Sequence, residues 1–167
     1  AKRVRAAVEE EFVWLVKAGA LHDDQQTAHR HGSPGLEARF VVNRAWRKGM
    51  LSSARLGLRA ALRLKPESVL VLPVDHPTVK PATVRALAAA MKAALGSYRG
   101  GSSRRAGFAY ALVPRYRRRR GHPVALSPAL ARAVAGDPGA TDLSDAIRRN
   151  ARLVGYAARH NMAPNLR

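Results

Sequence analysis

Val4, Val8, Phe12, Leu15 and Val16 recur at helical spacing, which predicts an amphipathic helix over residues 2–18 with Gly19 as its stop. Residues 21–35 are polar, contain three histidines and a Ser33-Pro34-Gly35 turn, and read as a long loop. Residues 38–43 then read as a short strand. Ser52 and Ser53 are placed to cap a helix whose apolar face is Ala54, Leu58, Ala61 and Leu62. Val69-Leu70-Val71-Leu72 is a continuous apolar run, as expected for a strand covered on both faces.

The second half repeats the alternation. Val84, Leu87, Ala88, Met91 and Leu95 mark a helix with Pro81 in its first turn. A Gly/Ser/Arg loop over 96–107 precedes a strand at 108–113. Residues 117–121 read as a basic turn and 123–126 as extended. Short helices are expected at 128–135 and 142–150, and a last strand at 152–157. Strands alternating with helices predict an α/β sandwich with a mainly parallel sheet.

A chain of 167 residues suits one domain, taken as 1–167, and 47% hydrophobic residues fit a folded chain rather than a disordered one. Charge or proline interrupts every apolar run well before 18 residues, so no membrane-spanning helix is expected. The basic start leads into Glu9-Glu10-Glu11, which is not the layout of a secretory signal. With no cysteine, disulfides and thiolate metal sites drop out, and a cytoplasmic setting is the default expectation. The formal charge of +19 favours anionic ligands without choosing between a nucleotide and a nucleic acid. Arg outnumbers Lys by 24 to 6 and the basic residues are spread along the chain, which also fits a codon bias.

The strongest local signal for chemistry is Leu72-Pro73-Val74-Asp75-His76-Pro77, directly after the most apolar strand. Ligands of open α/β sheets bind beyond the carboxyl ends of strands. A carboxylate there can hold Mg²⁺ and bridge it to phosphates. It can equally cap the following turn. The local pattern leaves these two readings even.

Four ordered motifs carry a resemblance. Asn43 with Gly49-Met50-Leu51-Ser52-Ser53 and Gly57-Leu58 is similar to the asparagine strand and "GM-x-SS" helix start of the MobA-like NTP transferase family. Leu72–Pro77 resembles its metal-binding "D-x-P" segment. Arg119-Arg120-Gly121-His122-Pro123-Val124 resembles its "RGHP" loop, and Gly136-Asp137-Pro138-Gly139-Ala140 its "GD-x-GA" loop.

The resemblance implies a Rossmann-like three-layer α/β fold of the kind found in nucleotide-sugar and cofactor nucleotidyltransferases. It also implies transfer of NMP from an NTP, CTP or GTP, to a phosphorylated acceptor, with molybdopterin as the acceptor the family suggests. Asp75 would coordinate Mg²⁺. Asn43, Ser52 and Ser53 would contact the nucleotide. His76, Pro77, Gly121, His122, Pro123, Gly136, Asp137 and Gly139 would border the acceptor. Two family features have no counterpart: the N-terminal strand with its glycine-rich phosphate loop, and the C-terminal "DIDTPED" segment, echoed without acids at 161–166. On this basis the first strand is expected to be missing and the domain incomplete at its start, which also motivates a non-catalytic reading.

Other residues have blander alternatives. His22, Asp23, Asp24, His29 and His31 fit no rigid ligand set and read as a solvated loop. Arg117 to Arg120 beside Tyr116 would suit a nucleic acid, but no known nucleic-acid-binding pattern accompanies them, and a basic turn beside the acceptor pocket is the preferred reading. Arg55, Arg59 and Arg63 form a basic stripe expected to face solvent. Trp14 and Trp46 are expected to be core or interface anchors.

Overall fold

Phe12-Val13-Trp14-Leu15-Val16 is a run of aromatic, β-branched and aliphatic residues. In the computed structural model it lies in a strand, β1 (Glu11–Ala18), paired antiparallel with β2 (Leu36–Asn43). The structure describes residues 11–18, 36–76, 78–97, 107–116 and 119–158. The helix expected over 2–18 is therefore corrected over its second half. The spacing of Val4 and Val8 suggested a helix, but the β-prone run after them pairs across its whole length, from Glu11 opposite Asn43 to Ala18 opposite Leu36. Residues 2–10, Gly19 and the expected loop at 21–35 lie outside the described residues.

The remaining elements follow the predicted order closely. A 3-10 turn (Trp46–Lys48) leads to α1 (Met50–Leu62), then β3 (Val69–Val71) and α2 (Pro81–Ser97). Next come β4 (Tyr110–Tyr116), β5 (Arg119–Arg120), β6 (Val124–Leu126), α3 (Pro128–Gly136), α4 (Leu143–Asn150) and β7 (Leu153–Ala158). Gly49, directly before α1, has φ +89, a conformation that glycine adopts without a Cβ penalty. Ser127 caps α3 and fastens it to the sheet. Its Oγ accepts from the amides of Leu130 and Tyr110 and donates to the Phe108 carbonyl. Asp142 caps α4 by accepting from Asp145 N at 2.8 Å, and Asp145 reaches back to Thr141 N at 3.0 Å.

The sheet departs from expectation. β3 pairs antiparallel with β6, β6 antiparallel with β4, and β4 antiparallel with β5; among the described residues only β4 and β7 pair in parallel. A mainly parallel sheet is thus corrected to a mostly antiparallel one. The cause is β6, which runs against both of its neighbours. β3, β4 and β7 still share one direction, because β3 and β4 are each opposed to β6.

Strand alternation divides the core between the two faces of this sheet. Val69, Ala111, Val113, Val124 and Leu126 face Leu51 and Leu58 of α1, Leu130 and Val134 of α3, and Ala146 and Ile147 of α4. Tyr110, Leu112 and Ala125 face Leu87 and Met91 of α2. Leu87 and Met91 are completely buried, each contributing about 1.5–3 kcal/mol. β1 and β2 form their own two-stranded sheet against α1.

This arrangement brings the connecting loops together. The segment after β3 and the turn before β6 meet at the carboxyl end of β3, β4 and β7. α3 starts at the opposite end, where Ser127 bonds Tyr110, and α4 returns there, where Arg152 N donates to the Ala109 carbonyl. The loop between α3 and α4 therefore lies toward the carboxyl end. α1 runs antiparallel to α3, and its first turns lie there too.

Candidate active site at the carboxyl edge of the sheet

Beyond β3 the chain turns over Pro73–His76, closed by His76 N donating to the Pro73 carbonyl at 3.2 Å. The turn presents Asp75 with its side chain 69% exposed, and His76 Nε2 lies 3.8 Å from Asp75 Oδ1. His76 in turn lies against His122, with ring centroids 4.7 Å apart and planes tilted by 34°. Asp75, His76 and His122 thus form one contiguous group, built from the loop after β3 and the turn before β6.

That second turn is fixed by its neighbours. Gly121 N donates to the Pro114 carbonyl at 2.8 Å, and Pro123 is fully buried, so its ring anchors the turn. Burial holds the His122 imidazole below its ordinary pKa, and the adjacent His76 lowers it further. The Val71 backbone and the Asp75 carboxylate oppose this without overcoming it. Among the described residues no hydrogen bond of good geometry reaches the buried His122 Nδ1. The site at neutral pH therefore combines an exposed carboxylate with a neutral, partly buried imidazole. Pro77 lies outside the described residues.

Asn43, Ser52 and Ser53 form a second group. Asn43 is buried, and its amide donates to Ser52 Oγ at 2.9 Å and Ser53 Oγ at 2.8 Å while its Oδ1 accepts from Ala45 N at 2.9 Å. Ser52 Oγ lies 2.8 Å from the Gly49 carbonyl, to which it can donate. These contacts fasten the end of β2 to the first turn of α1, so the Asn43 amide is largely committed to holding that junction.

Gly136, Asp137 and Gly139 form the third. Asp137 Oδ1 accepts from Gly139 N at 2.9 Å, and Oδ2 accepts from Asn150 at 2.7 Å and Arg149 Nε at 3.0 Å. The Asn150 hydrogen bond above all, with Gly139 N and Arg149, holds this carboxyl below the usual range. A shallow cleft of about 620 Å³ opens beside it, lined by Arg132, Ala133, Gly136, Asp137, Arg149 and Asn150.

Two arginines expected to face solvent instead tie α1 to this loop. Arg55 donates to the Asp137 carbonyl, and Arg59 donates to the Ala135 carbonyl at 2.9 Å. Both bond carbonyls at the C-terminal end of α3, where cations are favoured. Arg63 is exposed. Trp46 is half-buried beneath Arg47, whose guanidinium carbon lies 5.3 Å from the ring centroid, while the side chain of Trp14 lies outside the described residues.

All three groups stand toward the same end of the sheet, and His76 joins Asp75 to His122 across the loop after β3 and the turn before β6. Among the described residues no three His, Asp or Glu side chains cluster as a metal cage. One exposed carboxylate nevertheless suits Mg²⁺, which keeps several waters and takes its other ligands from substrate phosphates. The histidines and acids of 22–31 and the basic pair 117–118 lie outside the described residues. Sequence reasoning placed Arg120 in a basic turn beside the acceptor pocket but missed Arg115 and Tyr156, which join it through strand register. No helix among the described residues is long and apolar enough to cross a membrane.

A family model described as MobA-like NTP transferase domain matches residues 2–154. No curated protein and no solved structure matches the chain.

Proposed function

The chain belongs to the MobA-like NTP transferase family, and from that premise we propose that it is a Mg²⁺-dependent nucleotidyltransferase acting at the Asp75–His76–His122 edge. The family is one of NTP transferases, so the chemistry to account for begins with a nucleoside triphosphate. The proposed donor is CTP or GTP and the proposed acceptor a phosphorylated small molecule, molybdopterin being the one the family resemblance suggests. The proposed frame is the Rossmann-like three-layer sandwich, supported by helices on both faces of the sheet. A cytoplasmic setting belongs to the same proposal.

The carrying observation is the contact of His76 with both Asp75 and His122 at the sheet's carboxyl end. Asp75 is the residue that would hold Mg²⁺, and the bound ion would neutralise charge on the triphosphate oxygens. In the transfer, an acceptor phosphate oxygen forms a bond to the α-phosphorus. The bond from the α-phosphorus to the bridging oxygen breaks, and pyrophosphate leaves with the electron pair. A phosphomonoester is already mostly ionised at neutral pH, so no general base is required. This chain's contribution is to position the reactants and to set the charge around them. With its pKa lowered by burial, His122 adds no positive charge to the site at neutral pH.

Calorimetric titration of CTP and GTP, each with Mg²⁺, tests the reading. It expects binding of at least one of them that weakens sharply in Asp75→Asn; absence of binding by either would overturn it.

A further inference from the structure

Arg115 on β4 and Arg120 on β5 are directly opposed in the antiparallel ladder. Like charges placed opposite each other are destabilising, and among the described residues neither guanidinium has a carboxylate partner. Both converge instead on one ring. Arg115 Cζ lies 5.2 Å and Arg120 Cζ 5.8 Å from the centroid of Tyr156, which is 42% exposed on β7. β7 runs parallel to β4 with Tyr156 opposite Val113, so Tyr156 stands diagonally beside Arg115 on the same face. The ring supplies an attractive surface for two cations that would otherwise repel.

From this geometry we infer that Arg115 and Arg120, braced against Tyr156, form a clamp for the phosphomonoester of the acceptor. The inference rests on the nucleotidyltransferase reading for the identity of the anion's carrier. Three features carry it. Two guanidiniums offer planar, paired N–H donors matched to phosphate oxygens. A dianion between them would replace repulsion with attraction. The trio also lies at the carboxyl end of β4 and β7, the same edge as Asp75 and His122, with Arg115 on β4 and Arg120 in the stretch that runs on into β6. Arg120 precedes His122 by two residues in the same turn, so the clamp adjoins the His122 turn. The acceptor phosphate, which is also the attacking group, would be held there beside the turn that carries His122.

Inorganic phosphate, titrated by calorimetry without metal, is the probe. The wild type should bind it, and the double variant Arg115→Gln/Arg120→Gln should weaken binding at least about tenfold. Tyr156→Leu, which keeps both charges and removes the brace, should weaken it severalfold. The double variant Arg85→Gln/Arg152→Gln removes two exposed charges elsewhere and should leave phosphate affinity unchanged, which separates the clamp from net charge. CTP and GTP with Mg²⁺ should bind Arg115→Gln/Arg120→Gln as they bind the wild type, while Asp75→Asn should retain phosphate binding. Matching thermal midpoints verify that each variant folds.

Failure of the wild type to bind phosphate, or unchanged affinity in Arg115→Gln/Arg120→Gln, would overturn the clamp. So would equal losses in the Arg85/Arg152 control, or a parallel loss of NTP binding, which would assign the arginines to the donor. Tight binding of a single-stranded oligonucleotide that depends on Arg115 and Arg120 would replace the small acceptor with a nucleic acid. If phosphate binds at the arginines but no NTP binds the wild type, the clamp stands and the transfer reading falls.

Discussion

The ring of His76 lies 4.7 Å from the ring of His122, whose Nδ1 is buried with no well-formed hydrogen bond among the described residues. Protonation of His122 is opposed by its burial first and by the adjacent His76 second. Because the pKa of His122 is lowered in the folded protein, the unfolded chain binds more protons as pH falls through about 6.5. Stability tied to this group is therefore complete above that pH and declines on acidification, until the folded ring is itself protonated. Thermal midpoints at pH 7.5 and 5.5 should differ more for the wild type than for His122→Gln. An equal or larger difference in the variant would count against the assignment.

Asp75 is exposed, so Asp75→Asn should leave the thermal midpoint nearly unchanged. If it holds the metal, turnover with Mg²⁺ should fall by roughly 100-fold or more. Pyrophosphate release from the cognate NTP and acceptor, measured in parallel with thermal melting, distinguishes loss of chemistry from loss of fold.

Asn43→Ala would strip partners from two serine hydroxyls and from the Ala45 amide at a buried site. A loss of about 1–3 kcal/mol is expected in denaturant unfolding. The strand-to-helix junction, rather than the nucleotide, should register the change first. Unaltered stability together with weakened NTP binding would reverse that order.

Asp137 holds three donors, and its lowered pKa sets the sign of its pH dependence. Stability from this group is present above the ordinary carboxyl range and lost as pH falls through the lower folded value. Asp137→Asn should lower the midpoint at pH 7 and narrow the gap between pH 7 and pH 3. A gap as wide as the wild type's would show that the loop is held by other contacts.

Gly155 lies beneath the buried ring of Tyr110, whose Oη and Cζ would both clash with any Cβ added there. Gly155→Ala should cost about 1–3 kcal/mol through overpacking. Tyr110→Leu in the same chain should recover part of that, and a double-mutant cycle measures the coupling. Strict additivity would contradict the contact.

Element positions were largely legible because each helix carried its apolar stripe and each strand its run: residues 128–135 and 142–150 became α3 and α4 almost unchanged. The error at Glu11–Ala18 arose because spacing was extended from Val4 and Val8 across a run whose partner lies two dozen residues away. Strand direction was misjudged for a different reason. Residues 117–123 are too few for the crossover that parallel neighbours require, so the chain had already signalled that β6 returns antiparallel. Asp75 was legible from the apolar strand before it, and its meeting with His122 rested on motif resemblance. The Arg55 and Arg59 contacts were not legible, because carbonyls at the end of α3 carry no signature in side-chain spacing. Tyr156 reaches Arg115 only through the register of β7 on β4, which no local pattern encodes.

The reversed strand also orders the birth of the molecule. Among the described residues Val69–Val71 has no ladder partner until Val124–Leu126 exists, and β4 gains β7 only when residues 153–158 emerge. On the ribosome, β3 must therefore wait with an open, apolar edge while residues 72–123 are made, a state prone to sticking. Versions ending before Val124 are expected to express poorly, because β3 then lacks its partner strand β6.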